Sequence, residues 1–164
     1  MRRMLLPAVS VFVSAGVMVV TVLAADMFTG TWRENPAKSS PVPNPPREAV
    51  QKLESVPNGL RMIYDLVDAA GQKRHDEWTV KFDGKQVPTK RTVDGKPDPR
   101  TEGETVSATR IDDHTFQFTF MLNGKVRFQA RNVISADGKT RTATQTGTTD
   151  DGQQRVVTVV FDKQ

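Results

Sequence analysis

The chain has 164 residues, a net charge of +4, 26% charged residues and no cysteine. Lack of cysteine excludes disulfides, thiolate metal sites, a cysteine nucleophile and a lipidated N-terminal cysteine. So small a basic excess does not support nucleic-acid binding.

The first 25 residues read as an export leader. Met1-Arg2-Arg3-Met4 supplies positive charge, Leu5 to Leu23 is apolar, and Ala24-Ala25 offers a small-residue cleavage site before the first acid, Asp26. Pro7, Ser10, Ser14, Gly16 and Thr21 interrupt the apolar run. That makes it a poor match to a bilayer span, which needs about 20 predominantly apolar residues. The expectation is a leader over 1–25 and one domain over 26–164, periplasmic or secreted, with no stable membrane span once the leader is gone. Removing 25 of the 164 residues leaves 139, enough for a single core, and takes Arg2 and Arg3 away, so the net charge falls from +4 to +2.

Phe28-Thr29-Gly30-Thr31-Trp32 opens the domain and reads as its first strand. A proline-rich loop follows over 33–47, where Pro36, Pro41, Pro43, Pro45 and Pro46 fix φ and remove backbone donors. Residues 47–56 suit either a helix started after Pro46 or a strand running into the Pro57-Asn58-Gly59 turn; the strand-rich surroundings favour the strand. Leu60, Met62, Tyr64 and Leu66 alternate with polar or solvent-side positions, as do Trp78, Val80 and Phe82, the period-two pattern of half-buried strands. Lys85, Lys90, Arg91, Lys96 and Arg100 fall in a polar stretch that reads as a solvated loop, with steering of an anionic ligand as the functional alternative. Asp112-Asp113, Asn123-Gly124, Asp137-Gly138 and Asp151-Gly152 mark closely spaced turns. Together these predict an all-β, antiparallel up-and-down meander of about eight to nine strands, closed by pairing Phe28–Trp32 with Val156–Phe161.

Two registers are expected from the apolar pattern. A three-residue loop of Leu122, Asn123 and Gly124 sets Phe120 opposite Val126 and Phe118 opposite Phe128, whereas a two-residue Asn-Gly turn mixes the faces. A similar loop at Ala136-Asp137-Gly138 sets Thr146 opposite Phe128 and Thr144 opposite Ala130. The threonines at 140, 142, 144, 146 and 148 then line the interior; alternatively they cover a solvent face, as good β-formers do.

The Gly30-x-Trp32 opening followed by a one-domain meander resembles the first-strand pattern of lipocalins, fatty-acid-binding proteins and avidins. The run from Phe28 through Asn35-Pro36-Ala37-Lys38-Ser39, with the Asp-Gly-Lys turns and the Phe161-Asp162-Lys163 ending, resembles a group of small exported bacterial proteins described as lipocalin-like. The resemblance implies a barrel or half-open barrel in which Trp32 plugs the closed end beside Gly30, with a basic residue, Lys163 or Arg155, packed across it. Two features of these families are missing. A proline loop replaces the helix-turn-helix of fatty-acid-binding proteins, and Val159-Val160-Phe161 stands where their Arg-x-Tyr carboxylate clamp would be.

No catalytic signature is present. His75 and His114 have no second histidine at ligand spacing, and His75-Asp76-Glu77 on a strand point to alternating faces, so no metal site is expected. There is no nucleophile elbow, phosphate loop or zinc-protease motif, and no cofactor is implied. Trp78, Phe82, Phe116, Phe118, Phe120 and Phe128 either fill the interior or line an apolar pocket. The leading expectation is non-catalytic binding of a small apolar or amphipathic ligand by Tyr64, Trp78, Phe118, Phe128 and Thr144. A solid barrel acting through its surface loops on an envelope partner is the alternative, and a barrel enzyme the remote one.

Overall fold

A computed structural model of the chain describes residues 26–148 and 152–164. The expected leader lies outside the described residues, and the Asp151-Gly152 turn lies partly outside them. The described chain is all-β. Five early strands follow one another as β1 (Gly30–Glu34), β2 (Glu48–Val56), β3 (Gly59–Val67), β4 (Lys73–Lys81) and β5 (Val87–Pro88). After these come β6 (Lys90–Val93), β7 (Lys96–Pro97), a single 3-10 turn at Pro99–Thr101, and β8 (Glu104–Arg110). The chain ends in four long strands, β9 (Thr115–Leu122), β10 (Lys125–Ile134), β11 (Thr140–Thr148) and β12 (Gln154–Lys163). Residues 48–56 are thus strand, as the context suggested. The count is twelve and not eight to nine, because the stretch read as a solvated basic loop contains three short strands.

All twelve strands form one antiparallel sheet in the order β5-β8-β9-β10-β11-β12-β1-β2-β3-β4-β6-β7. The first and last long strands do pair, but in a shifted register: Trp32 faces Lys163, Arg33 faces Asp162 and Glu34 faces Phe161, with Phe28 lying before the strand. That pairing sits in the middle of the sheet. The curl closes instead where β4 and β8 lie alongside each other without a shared ladder, which makes the architecture a curled half-barrel.

The concave side holds the core because each strand alternates. Leu60 and Met62 on β3, Trp78 and Val80 on β4, Val106 and Ala108 on β8, and Phe116, Phe118 and Phe120 on β9 are all buried. Burying each large side chain of this set contributes about 1.5–3 kcal/mol. Rings meet edge to face in this core: Trp78 with Phe118 at 5.9 Å and with Phe120 at 5.4 Å between centroids. Phe28 covers the base, 4.7 Å from Phe116 and 6.1 Å from Phe82.

The β9–β10 hairpin corrects the expected register. Leu122 pairs with Lys125, leaving a two-residue turn of Asn123 and Gly124, both at positive φ (52° and 76°). That is the geometry whose twist matches paired strands. A bulge between Val126 and Phe128 then absorbs one residue, so Phe120 faces Phe128 and Phe118 faces Ala130. The bulge removes the face-mixing that a two-residue turn alone would cause. It leaves Val126 outside, 55% exposed.

The β10–β11 hairpin is corrected in the opposite sense. Ile134 faces Arg141, and the Ser135 N–H donates to the Thr140 carbonyl, so the loop is one residue longer than expected. Phe128 therefore faces Gly147, and Ala130 faces Gln145. Arg141, Ala143 and Gln145 take the concave side, while Thr142, Thr144 and Thr146 take the other.

Candidate ligand-binding cavity

The half-barrel is packed solid at one end and hollow at the other. Phe28, Trp32, Leu60, Val80, Val106 and Phe116 form a dry base. Beyond them lies a cavity of about 490 Å³ bordered by Met62, Tyr64, Trp78, Phe118, Phe120 and Phe128 on its apolar side. This volume lies within the range of small-molecule sites, about 300–1,000 Å³. Phe120 and Phe128 are stacked at 4.4 Å between centroids, making part of that wall flat.

Four of the five expected ligand-binding residues border the cavity: Tyr64, Trp78, Phe118 and Phe128. Thr144 does not, because the β11 register turns it outward and brings Ala143 and Gln145 in. The proline loop, expected to stay at the surface, also contributes to the rim through Ser39, Ser40, Val42 and Pro46. It is held there by β12: the Ser40 N–H donates to the Thr158 carbonyl at 2.8 Å, and the Ser39 hydroxyl accepts from the Val160 N–H at 3.0 Å.

Trp32 and Gly30 lie beside the last strand. Trp32 is fully buried, and its indole N–H donates to the Phe28 carbonyl at 3.2 Å. Lys163, and not Arg155, lies across the ring, with Nζ 5.1 Å from its centroid. Gly30 has φ +133°, and a Cβ there would come within 2.6 Å of Lys163 Cε. The glycine makes room for the lysine stem.

The polar side of the cavity is the part that sequence reasoning missed. Register aligns Trp32, Gln51, Tyr64, Asp76 and Arg91 side by side across β1, β2, β3, β4 and β6. Asp76, only 2% exposed, accepts a short hydrogen bond from Arg91 Nε and lies 3.0 Å from Arg74 Nε, off the hydrogen-bonding direction. Arg91 also reaches across the seam to Glu104 on β8, at 3.6 Å, and Arg127 donates to Glu104 at 2.7 Å. These ion pairs staple β4 and β6 to β8 where the ladder is missing.

Arg141 is 1% exposed and stands apart from that cluster. Its Nη1 donates to Asn132 Oδ1 at 2.9 Å, and its Nη2 makes a short hydrogen bond to Gln51 Oε1. The guanidinium carbon sits 4.2 Å from the Phe161 ring centroid and 5.5 Å from that of Trp32. Burial pushes the guanidinium down to about 9, which still leaves it charged at neutral pH. Burial also pushes the Tyr64 phenol up to about 12, so that hydroxyl is neutral, and raises the Glu34 carboxyl at the rim.

The signal for these residues was parity. Asp76 shares the inward phase of Trp78 and Val80, Glu104 that of Val106 and Ala108, and Gln51 that of Ala49 and Leu53. A polar residue on an inward phase must be hydrogen-bonded or facing a polar cavity. His75 and Glu77 take the outer face, where His75 Nδ1 lies 2.7 Å from Asp65. No known protein family, curated protein or solved structure matches the chain.

Proposed function

We propose that the protein binds a small amphipathic molecule inside the half-barrel without transforming it. The observation that carries this reading is the mixed lining of the cavity: Trp78, Phe118, Phe120 and Phe128 share the border of about 490 Å³ with Arg74, Arg91, Arg127, Arg141 and Arg155. Aromatic enclosure supplies affinity by removing apolar area from water, and a few placed polar groups supply orientation. Tyr64 is positioned for the second task with a neutral hydroxyl.

Two further parts of the reading come with it. Kinship to the lipocalin-like exported proteins is supported by the Gly30-Thr31-Trp32 opening with Lys163 over the buried indole. Export to the periplasm or medium is supported by the basic start and apolar run of residues 1–25.

The test is uptake of the neutral fluorophore N-phenylnaphthylamine. Wild type is expected to bind it saturably, and Phe118→Asp, which sets a charge in the aromatic wall, to lose uptake. Phe128→Ser, at the more open rim, serves as a second variant where Phe118→Asp fails to fold. Unchanged uptake in folded molecules of both variants would sink the reading.

A further inference from the structure

The buried donors that the protein leaves unsatisfied gather in one place. Among the described residues, Arg74 Nε, Trp78 Nε1 and Arg141 Nε are buried without a hydrogen-bond partner within the protein. All three residues border the cavity. Each of these atoms carries an N–H and accepts nothing, so whatever satisfies it must be an acceptor.

Charge points the same way. Arg74, Arg91, Arg127, Arg141 and Arg155 border the cavity, against the carboxylates of Glu34 and Asp76. Asp76 serves Arg74 and Arg91, and Glu104 serves Arg127. Arg141 makes no ion pair among the described residues; its hydrogen bonds go to the neutral amide oxygens of Asn132 and Gln51. A buried guanidinium without a counter-charge is unfavourable, and the faces of Trp32 and Phe161 offset only part of that. An anion arriving beside Arg141 would complete the site.

We propose that the ligand is a monoanionic amphiphile, a carboxylate with an apolar tail, and that Arg141 holds its head. This rests on the binding function proposed above and names the ligand class for that cavity. Arg155 also borders the cavity but is exposed to solvent, so Arg141 is the buried guanidinium there without an ion pair among the described residues. One such group matches one negative charge, and its planar donor edge suits the two oxygens of a carboxylate. The tail then lies against Trp78, Phe118 and Phe128, and the indole N–H of Trp78 is a further donor on the wall.

The experiment is a fluorescence titration, reading Trp78 and Trp32, with decanoate, decanol and decyltrimethylammonium as probes of one tail and three heads. Wild type is expected to bind decanoate at least about tenfold more tightly than decanol, and the cation more weakly than either. In Arg141→Met the dissociation constants for decanoate and decanol should come within about twofold of each other, with decanol little changed. Equal affinity of wild type for decanoate and decanol overturns the head-group assignment while leaving the binding function standing. So does a carboxylate preference that survives in Arg141→Met. Failure of wild type to bind any of the three overturns the binding function and this inference with it. Circular dichroism establishes that the variant is folded; where it is not, the wild-type comparison of heads still decides.

Discussion

Tyr64 shows how one side chain takes its chemistry from its neighbours. Its ring lies under the Arg74 guanidinium at 5.2 Å and the residue borders the cavity, where burial raises its pKa to about 12. An unfolded tyrosine ionises near pH 10. Between those values the folded chain holds a proton that the unfolded chain has lost, so stability falls as pH rises through that window. The shift corresponds to at most about 2.7 kcal/mol. Tyr64→Phe is therefore expected to lose less stability than wild type between pH 10 and 12, measured by urea unfolding at each pH. Parallel pH profiles for the two proteins would show that the phenol is not desolvated. Arg141, whose pKa burial lowers, works in the opposite direction in both proteins, and because its guanidinium is coupled to the Tyr64 phenol the difference between the two profiles reads the pair.

At the scale of elements, the seam between β4 and β8 is the weak line of the sheet and the Asp76–Arg91–Glu104 cluster is what bridges it. Exposed ion pairs contribute about 0–1 kcal/mol, whereas breaking a buried pair by removing one partner costs about 3–5 kcal/mol. Asp76 is 2% exposed and Arg91 is mostly buried, so the second case applies. Asp76→Ala should destabilise the protein by about 3 kcal/mol, read as a lower urea midpoint with an unchanged slope. A loss below about 1 kcal/mol would class the cluster with the outer-face pairs such as Arg33–Glu48. The β9–β10 hairpin makes a related point. Its turn type follows from Asn123-Gly124 alone, but the bulge at Val126–Phe128 follows from the need to bring Phe128 back to the aromatic side.

The whole molecule couples a filled base to a hollow upper half, so the binding proposed for the cavity would share its sheet with folding. A ligand that binds only the folded state adds stability by mass action, about 2.7 kcal/mol at a hundredfold excess over its dissociation constant. Protein isolated from its source without denaturation is expected to show, by native mass spectrometry, a non-covalent mass that disappears on denaturation. Fragmentation of that species should release a singly charged anion with an apolar tail. A native mass equal to the denatured mass, in protein that also refuses N-phenylnaphthylamine, would redirect attention to the proline loop and its rim residues.

Alternation by itself determined the all-β class and the inward phase of Tyr64, Trp78 and Phe118, because side-chain direction in a strand depends only on the residue's own parity. The strand-rich context, and not the segment's own pattern, favoured strand over helix for residues 47–56. Only the tertiary structure decided what depends on pairing between strands. A bulge in one hairpin and an extra loop residue in the next moved Phe128 and Thr144 relative to their expected partners. A one-residue slip flips the side chains of a strand, so β11 turned Thr142, Thr144 and Thr146 out and Arg141 in, while Thr148 at its end still borders the cavity. The polar row of Gln51, Tyr64, Asp76 and Arg91 is spread over forty positions of sequence and becomes one site only through register.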